Sequence, residues 1–551
     1  MIALSTVAIF TGCNKGEEGA DRDPATLIPE SAFLLYTMRV DQVMMKMEHE
    51  NLSKLNSYQM MLSFAEESEK GMSDFIDNAI KDPSTMGIDP SQEIMVFVAD
   101  DFEEGWGGMI VKISDMEKFQ AMLDLMDMPE MKEDKDSKIK HTNIDEDLFV
   151  FTDGYYAVFA AGDDFDERGM ELGIGLFSQG EEGSVKGSGK FSEVIAREDD
   201  MVFAMNFPES LQDEMTDAMD DVYGEIGDDE EMLNCLLNLE AIDFDKYQYF
   251  YTLNFNKGDI ALETVFNWDE IMGSSPIADM IKPFDASPMS SINSDEALAS
   301  MAMGIAPDEI QNILDNCGVT EMVDGELGMA GLSMAEITGW FGGNIYMNVS
   351  SVEMLKWREL DYWAMDDDGK APTIETDKML PVFLLAMDVR DQKGMTEFVE
   401  LLEFGAAFSD EFVLVNNGDY WTVMMEEGFD IHFGITEDMF YLGNKESQIA
   451  QYVGGTYPTG SQDVLGKMNG EVAYIRIDTD IPPALEDMIE DEFSADDPFG
   501  FTSMAIKFAM EFDYLESRSN FESGSMVLKL KDDSHYSLYQ IIEMADDASP
   551  I

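Results

Sequence analysis

Four histidines, His49, His141, His432 and His535, are the only imidazoles in the chain, and no two stand at metal-ligand spacing. His432 alternates with apolar neighbours and reads as a strand residue. No Gly-x-Ser-x-Gly elbow offers a serine nucleophile. The run from Gly183 to Lys190 superficially resembles a phosphate-binding loop. Ser184, however, occupies the first glycine position and Phe191 replaces the hydroxyl residue after the lysine, so it reads as a flexible loop. Carboxylates dominate the available chemistry. The acidic clusters at 100–104, 163–167, 228–231 and 366–368 lack the alternating acids, glycine and distant glutamate of a calcium loop, and read as solvated turns. A glycosidase-type carboxylate pair needs two acids, and 114 candidates give no way to single one pair out. Methionine clusters (Met44, Met45 and Met47; Met60 and Met61; Met424 and Met425) have thioethers that suit Cu(I), but they read as adaptable core filler. No cofactor and no metal are expected, and the chain reads as a non-enzyme.

The residue with the most specific chemistry is Cys13. It ends a short apolar run and follows Thr11 and Gly12, an arrangement that resembles the lipobox of a bacterial lipoprotein signal. By that resemblance the chain is cut before Cys13 and carries lipid on its sulfur. No Lys or Arg precedes the apolar run, as a secretory signal requires, so the true start is expected upstream. The run is too short to span a bilayer, which takes about 20 residues. Residues 14–24 are polar and aperiodic and read as a flexible tether. Within it Glu17, Glu18, Asp21 and Asp23 resemble the outer-leaflet export signal of Bacteroidota lipoproteins. The other two cysteines, Cys235 and Cys317, sit in apolar helical patterns. An envelope location permits a bridge, while the apolar flanks favour two buried thiols.

The formal net charge is −81, from 114 acidic and 33 basic residues. Such a field repels polyanions, and nucleic acid is excluded as a partner because its binding depends on Lys and Arg neutralising phosphates. With 45% apolar and 11% aromatic residues the chain has ample material for a core. Tyr247, Tyr249 and Tyr251 alternate along one strand face. Trp106 and Trp340 are each flanked by glycines and read as partial repeat equivalents. Tyr249, Trp106 and Trp340 are the candidate ligand-binding residues, as platforms for sugar or peptide, against the plainer reading that strand aromatics fill the core.

These residues sit on a duplicated framework. In one copy a strand ending at Asp115 precedes helical spacing at Phe119, Met122, Leu123 and Met126. In the other, a strand ending at Asp391 precedes the same spacing at Met395, Phe398, Val399 and Leu402. The hairpin 149–156 aligns with 433–440, and 253–262 aligns with 519–528, with Gly258 and Gly524 expected at the turns. The fold class is α+β: two tandem copies of a mostly antiparallel sheet with amphipathic helices on one face. The expected organisation is a truncated signal over 1–12, a tether over 13–26, domain one over 27–284 and domain two over 285–551.

The segment from Leu27 to Ala32 leading into a strand, the helix carrying Met44, and Gly87-Ile88-Asp89-Pro90 before the strand at 94–98 resemble a Bacteroidota lipoprotein family designated a domain of unknown function, number 4836. The resemblance covers nearly all of the chain past the tether and brings no active site with it. It implies a lipid-anchored envelope protein at the outer membrane, periplasmic or surface-exposed. Its expected partners are the membrane, through the anchor, and an envelope protein or glycan.

Overall fold

The computed structural model describes residues 22–68, 70–99, 105–126, 128–143, 148–162, 165–206, 235, 248–265, 276–294, 297–328, 331–361, 364, 372–406, 412–425, 427–460, 462–478 and 511–548. Cys13 lies outside them. The chain forms two compact units, Met1–Leu211 and Gln212–Ile551.

In the first unit, β1 (Ala32–Arg39) leads into α1 (Val40–Lys46), α2 (His49–Leu52), α3 (Asn56–Ser68) and α4 (Met72–Lys81). Strands β2 (Glu93–Ala99) and β3 (Trp106–Lys112) precede α5 (Met116–Leu125), and β4 (Lys132–Glu133), β5 (Lys140–Asn143), β6 (Leu148–Thr152) and β7 (Tyr156–Gly162) follow. Then come α6 (Phe165–Ser178), α7 (Val185–Ser188), α8 (Ser192–Ile195) and β8 (Met201–Asn206). The strand order is β4-β5-β6-β7-β3-β2-β1-β8, antiparallel throughout.

Asp115 caps α5 by accepting from the backbone N–H groups of Glu117 and Lys118, and Phe119, Met122 and Leu123 bury against Val111, Val150 and Ala157. Met126, expected on that face, is exposed beyond the helix end. The backbone of Gly87, at positive φ, comes so close to α5 that a Cβ would lie 2.4 Å from the Asp115 carbonyl oxygen and the Phe119 nitrogen. Lys46 and Asp200 form an ion pair inside the unit, with Nζ at 2.7 and 2.5 Å from the two carboxylate oxygens.

The second unit contains β9 (Gln248–Asn256), β10 (Asp259–Val265), α9 (Pro276–Met280), β11 (Ile281–Lys282), β12 (Ala299–Ile305), α10 (Pro307–Asn316), α11 (Val319–Leu327) and α12 (Met334–Trp340). The long strands β13 (Phe341–Leu360) and β14 (Thr373–Val389) follow, then α13 (Gln392–Ala406), β15 (Phe412–Asn416), β16 (Tyr420–Met425), β17 (Ile431–Ile435) and β18 (Met439–Gly443). Last are α14 (Glu446–Val453), α15 (Asp463–Met468), β19 (Ala473–Asp478), β20 (Phe512–Ser519), β21 (Ser523–Leu530) and α16 (Ser537–Ala548). The strand order is β15-β16-β17-β18-β14-β13-β12-β19-β20-β21-β10-β9, with β11 also on β12. The pairing path β8-β1-β2-β3-β7-β6-β5 of the first unit recurs as β19-β12-β13-β14-β18-β17-β16. Asp391 opens α13 as Asp115 opens α5, accepting from Gly394 N–H. The architecture is α+β, with helices and large open antiparallel sheets.

Several details differ from the sequence reading. The β9–β10 hairpin, placed there in domain one, bonds to β21 and falls in the second compact unit, which begins at Gln212. Pairing with β21 satisfies the edge of β10, which the local pattern of a hairpin cannot reveal. Gly258 sits at its turn, but Gly524 lies within β21 opposite Ser519. There the Asn520 side chain accepts from Glu522 and Ser523 N–H and makes an Asx turn without glycine.

The expected loop at 183–190 contains the helical turn α7, with Ser184 and Val185 fully buried. The tether ends earlier than residue 26, since Arg22 donates to the Phe177 carbonyl and Ala25 is buried. Cys235 and Cys317 are joined as a disulfide, with Cα atoms 5.5 Å apart, correcting the reading as buried thiols. Met45, Met61 and Met425 are exposed, so the methionine clusters are only partly core. Among the described residues, no helix is long and apolar enough to cross a membrane.

Candidate functional site

A groove of about 360 Å³ opens in the second unit between β13 and α14, lined by Ser350, Ser351, Glu353, Lys445, Ser447, Gln448, Gln451, Tyr457 and Pro458. Its wall from β13 is made by a β-bulge. Val349 pairs with Phe383 and Ser351 with Val382, leaving Ser350 unmatched in the ladder. A bulge re-aims side chains where regular pairing would alternate them, and bulges concentrate at binding sites. The opposite wall is the first two turns of α14. Asn444, just before it, accepts from Phe383 N–H and donates to the Pro381 carbonyl, which fixes the helix start to β14.

The far end of the groove is set by the way α14 stops. Thr456 N–H reaches back to the Gln451 carbonyl at 2.8 Å and Gly455 N–H to that of Tyr452 at 3.1 Å, with Gly455 at φ +63°. This is a Schellman cap, whose left-handed residue glycine adopts without strain. The reversal lays the Tyr457 ring on Tyr452 at 4.1 Å, and Tyr452 stacks in turn on Tyr441 at 5.1 Å. Burial pushes the phenols of Tyr441 and Tyr452 upward, so both stay neutral at any physiological pH.

The groove carries one ion pair, Lys445 Nζ to Glu353 Oε1 at 2.7 Å, and Ser351 donates to the same oxygen at 2.9 Å. The hydrogen bond from Lys445 holds the Glu353 carboxyl below its ordinary range, Ser351 adds to this, and partial burial opposes it. Behind this surface lies a buried polar seam. Gln448 donates to Ser350 Oγ at 3.4 Å. Asn348 donates to Tyr346 Oη at 3.1 Å and to the Asn293 carbonyl at 3.5 Å, and Asn293 N–H donates to Tyr452 Oη at 3.3 Å. Two buried acceptors in the seam, Gln448 Oε1 and Asn348 Oδ1, have no hydrogen-bond partner among the described residues. An unmet buried polar atom costs about 1–3 kcal/mol.

None of the sequence candidates lines this groove. Trp106 opens β3 and is buried edge-on against Phe97 at 5.2 Å. Trp340 ends α12, is 5% exposed and packs on Phe398 at 5.0 Å. It lines a second cleft, of about 520 Å³, between α12 and α13. The two tryptophans are not repeat equivalents, because β14 is the counterpart of β3 and Trp340 precedes β13. Tyr249 is half-buried on β9, edge-to-face with Tyr251 at 6.0 Å, and Tyr247 lies outside the described residues.

His432 is a buried strand residue whose Nδ1 shares a hydrogen bond of 2.9 Å with Thr422 Oγ1, and burial pushes its pKa down. Of the acidic clusters, those at 100–104, 228–231 and 366–368 lie outside the described residues, and that at 163–167 runs into α6. The buried carboxylates among the described residues are Asp200, Glu516 and Asp546. The first two are ion-paired.

The sequence carries one local signal for the groove. Gly454-Gly455 directly after a helix, with tyrosines at 452 and 457, marks a helix cap that brings two rings together.

A family model described as Domain of unknown function (DUF4836) matches residues 25–538. The chain belongs to this family. The motif around Gly87 falls within the matched span, and its glycine is the one that α5 leaves no room to replace. No curated protein matches the chain. Among solved structures, three crystal forms of TP0453 are similar. Form III has 10% identity and a TM-score of 0.26 over 45% of this chain and 80% of that one. Form I has 10% identity and 0.24 over 45% and 79%. Form IV has 9% identity and 0.26 over 45% and 83%. TM-scores this low carry no argument about the DUF4836 chain.

Proposed function

We propose that this DUF4836 chain is a lipid-anchored cell-envelope protein of the Bacteroidota lipoprotein kind. In this reading Cys13 holds it at the outer membrane, facing the periplasm or the cell surface, and its folded part binds or assembles without catalysing. The β13–α14 groove carries the binding half of the reading. It has a bulged strand wall, an aromatic end and unmet polar atoms behind it. Its one carboxylate, Glu353, is ion-paired and held low. A general acid or base needs a pKa near the working pH, so this carboxylate suits orientation of a ligand better than proton transfer. The Cys235–Cys317 disulfide supports an oxidising compartment such as the envelope.

The test uses cells making the full gene product. Wild type should take up an alkyne fatty acid and partition into detergent with outer-membrane markers, and Cys13→Ala should do neither. A photocrosslinker in place of the exposed Ser447 should give an adduct with an envelope component. Unlabelled wild type overturns the anchor, and absence of any adduct overturns binding at the groove.

A further inference from the structure

We infer that the β13–α14 groove takes a neutral, polyhydroxylated ligand, a saccharide, with Tyr457 as its stacking ring. This rests on the groove being the binding site, as proposed above.

The chemistry of the lining selects the class. Ser350 donates to the Val382 carbonyl and Ser351 to Glu353, which leaves their oxygens as acceptors, while the exposed Ser447 hydroxyl and Gln451 amide can both donate and accept. Vicinal hydroxyls of a sugar also donate and accept, so such a surface matches them without leaving either side unpaired. Gln448, only 4% exposed, donates to Ser350 Oγ at 3.4 Å and fixes that end of the groove. Glu353, held as a carboxylate by Lys445, is an acceptor of the kind that orients sugar hydroxyls.

The aromatic end supplies the remaining contact. Tyr457 is backed by Tyr452 and Tyr441 and held by two backbone hydrogen bonds to the Gln451 carbonyl, from Thr456 and Tyr457 N–H, so its ring is preorganised. Acidic polymers are disfavoured, since the chain carries a net charge of −81. A peptide is the weaker fit, because among the described residues Pro458 and Tyr457 are the only apolar linings and offer no series of side-chain pockets.

The test is titration calorimetry and hydrogen exchange on the full chain with three neutral hexasaccharides: an α-1,4-glucan, a β-1,4-glucan and a β-1,4-linked N-acetylglucosamine hexamer. At least one should bind and protect residues 445–458. Tyr457→Ala should weaken it about tenfold, the loss expected for one aromatic contact. Gln451→Ala should weaken it several-fold. Gln451 is exposed and only its backbone serves the helix cap, so this variant reports on binding even where Tyr457→Ala disturbs the fold. Two controls separate the inferences. If all three sugars fail but a neutral extended peptide protects 445–458, the saccharide assignment falls and the groove stands as a binding site. If sugar binds and neither variant weakens it, the groove itself is wrong.

Discussion

Replacing Glu516 by glutamine tests whether a single buried carboxylate organises the middle of the second unit's sheet. Glu516 lies on β20, 3% exposed. Its Oε2 accepts from Lys467 Nζ at 2.8 Å, Tyr474 Oη at 2.9 Å and Arg476 at 3.4 Å, and Oε1 pairs with Arg518 at 3.1 Å. Breaking a buried ion pair costs about 3–5 kcal/mol. Here Lys467 and Arg518 have side chains 40% and 37% exposed and can turn to water, and Arg476 keeps Asp478 at 2.8 Å. The loss for Glu516→Gln therefore falls at the low end, about 3 kcal/mol.

For a unit of this size about 2 °C accompanies each kcal/mol, so the transition should fall by roughly 6 °C in calorimetry at neutral pH. Exchange at 473–478 and 512–519 assigns it to this unit. The pH dependence adds a second reading. Burial pushes the Glu516 carboxyl up, and the hydrogen bonds from Lys467 and Tyr474 and the cationic neighbours outweigh it, so the folded pKa lies below the ordinary value. A depressed carboxyl contributes stability that is present above its unfolded pKa of about 4.3 and is lost as pH falls through the folded value. Glu516→Gln lacks that contribution and should show a shallower acid limb. A shift below about 2 °C, corresponding to under 1 kcal/mol, or an unchanged acid limb would refute the reasoning.

Two further outcomes follow from other buried contacts. Lys46→Met strips the counter-charge from the fully buried Asp200 and should cost about 3–5 kcal/mol in urea unfolding, while Lys46→Met with Asp200→Leu should recover most of it. Cys317→Ser opens a disulfide spanning 82 residues and should lower the urea midpoint by an amount worth about 2–4 kcal/mol, with the variant losing the wild type's sensitivity to reductant.

Much of the framework is local and therefore legible. The aspartates at 115 and 391 cap helices because a short carboxylate after a strand accepts from the next turn's N–H groups, a rule of neighbouring residues. Likewise the alternation around 149–156 and 433–440 fixes hairpins, which the ladders reproduce. The differences from that reading have separate causes. Flanking glycines do not reveal which rings pack on a tryptophan: Phe97 meets Trp106 and Phe398 meets Trp340, which also lines the α12–α13 cleft. Gly258 and Gly524 aligned as turns, whereas one hairpin turns on glycine and the other on Asn520.

The sequence by itself determined the α+β class, the doubled strand and helix order, and the strongly acidic charge balance. These follow from composition and from periodicities of two and 3.6 residues, which the backbone imposes within a segment. Only the tertiary structure decided that Cys235 meets Cys317, that β10 pairs with β21, and that a bulge at Ser350 faces Gln448 across a groove closed by Tyr457. Those are contacts between segments far apart in the chain. Their geometry depends on which strands lie side by side, and no local pattern encodes that choice.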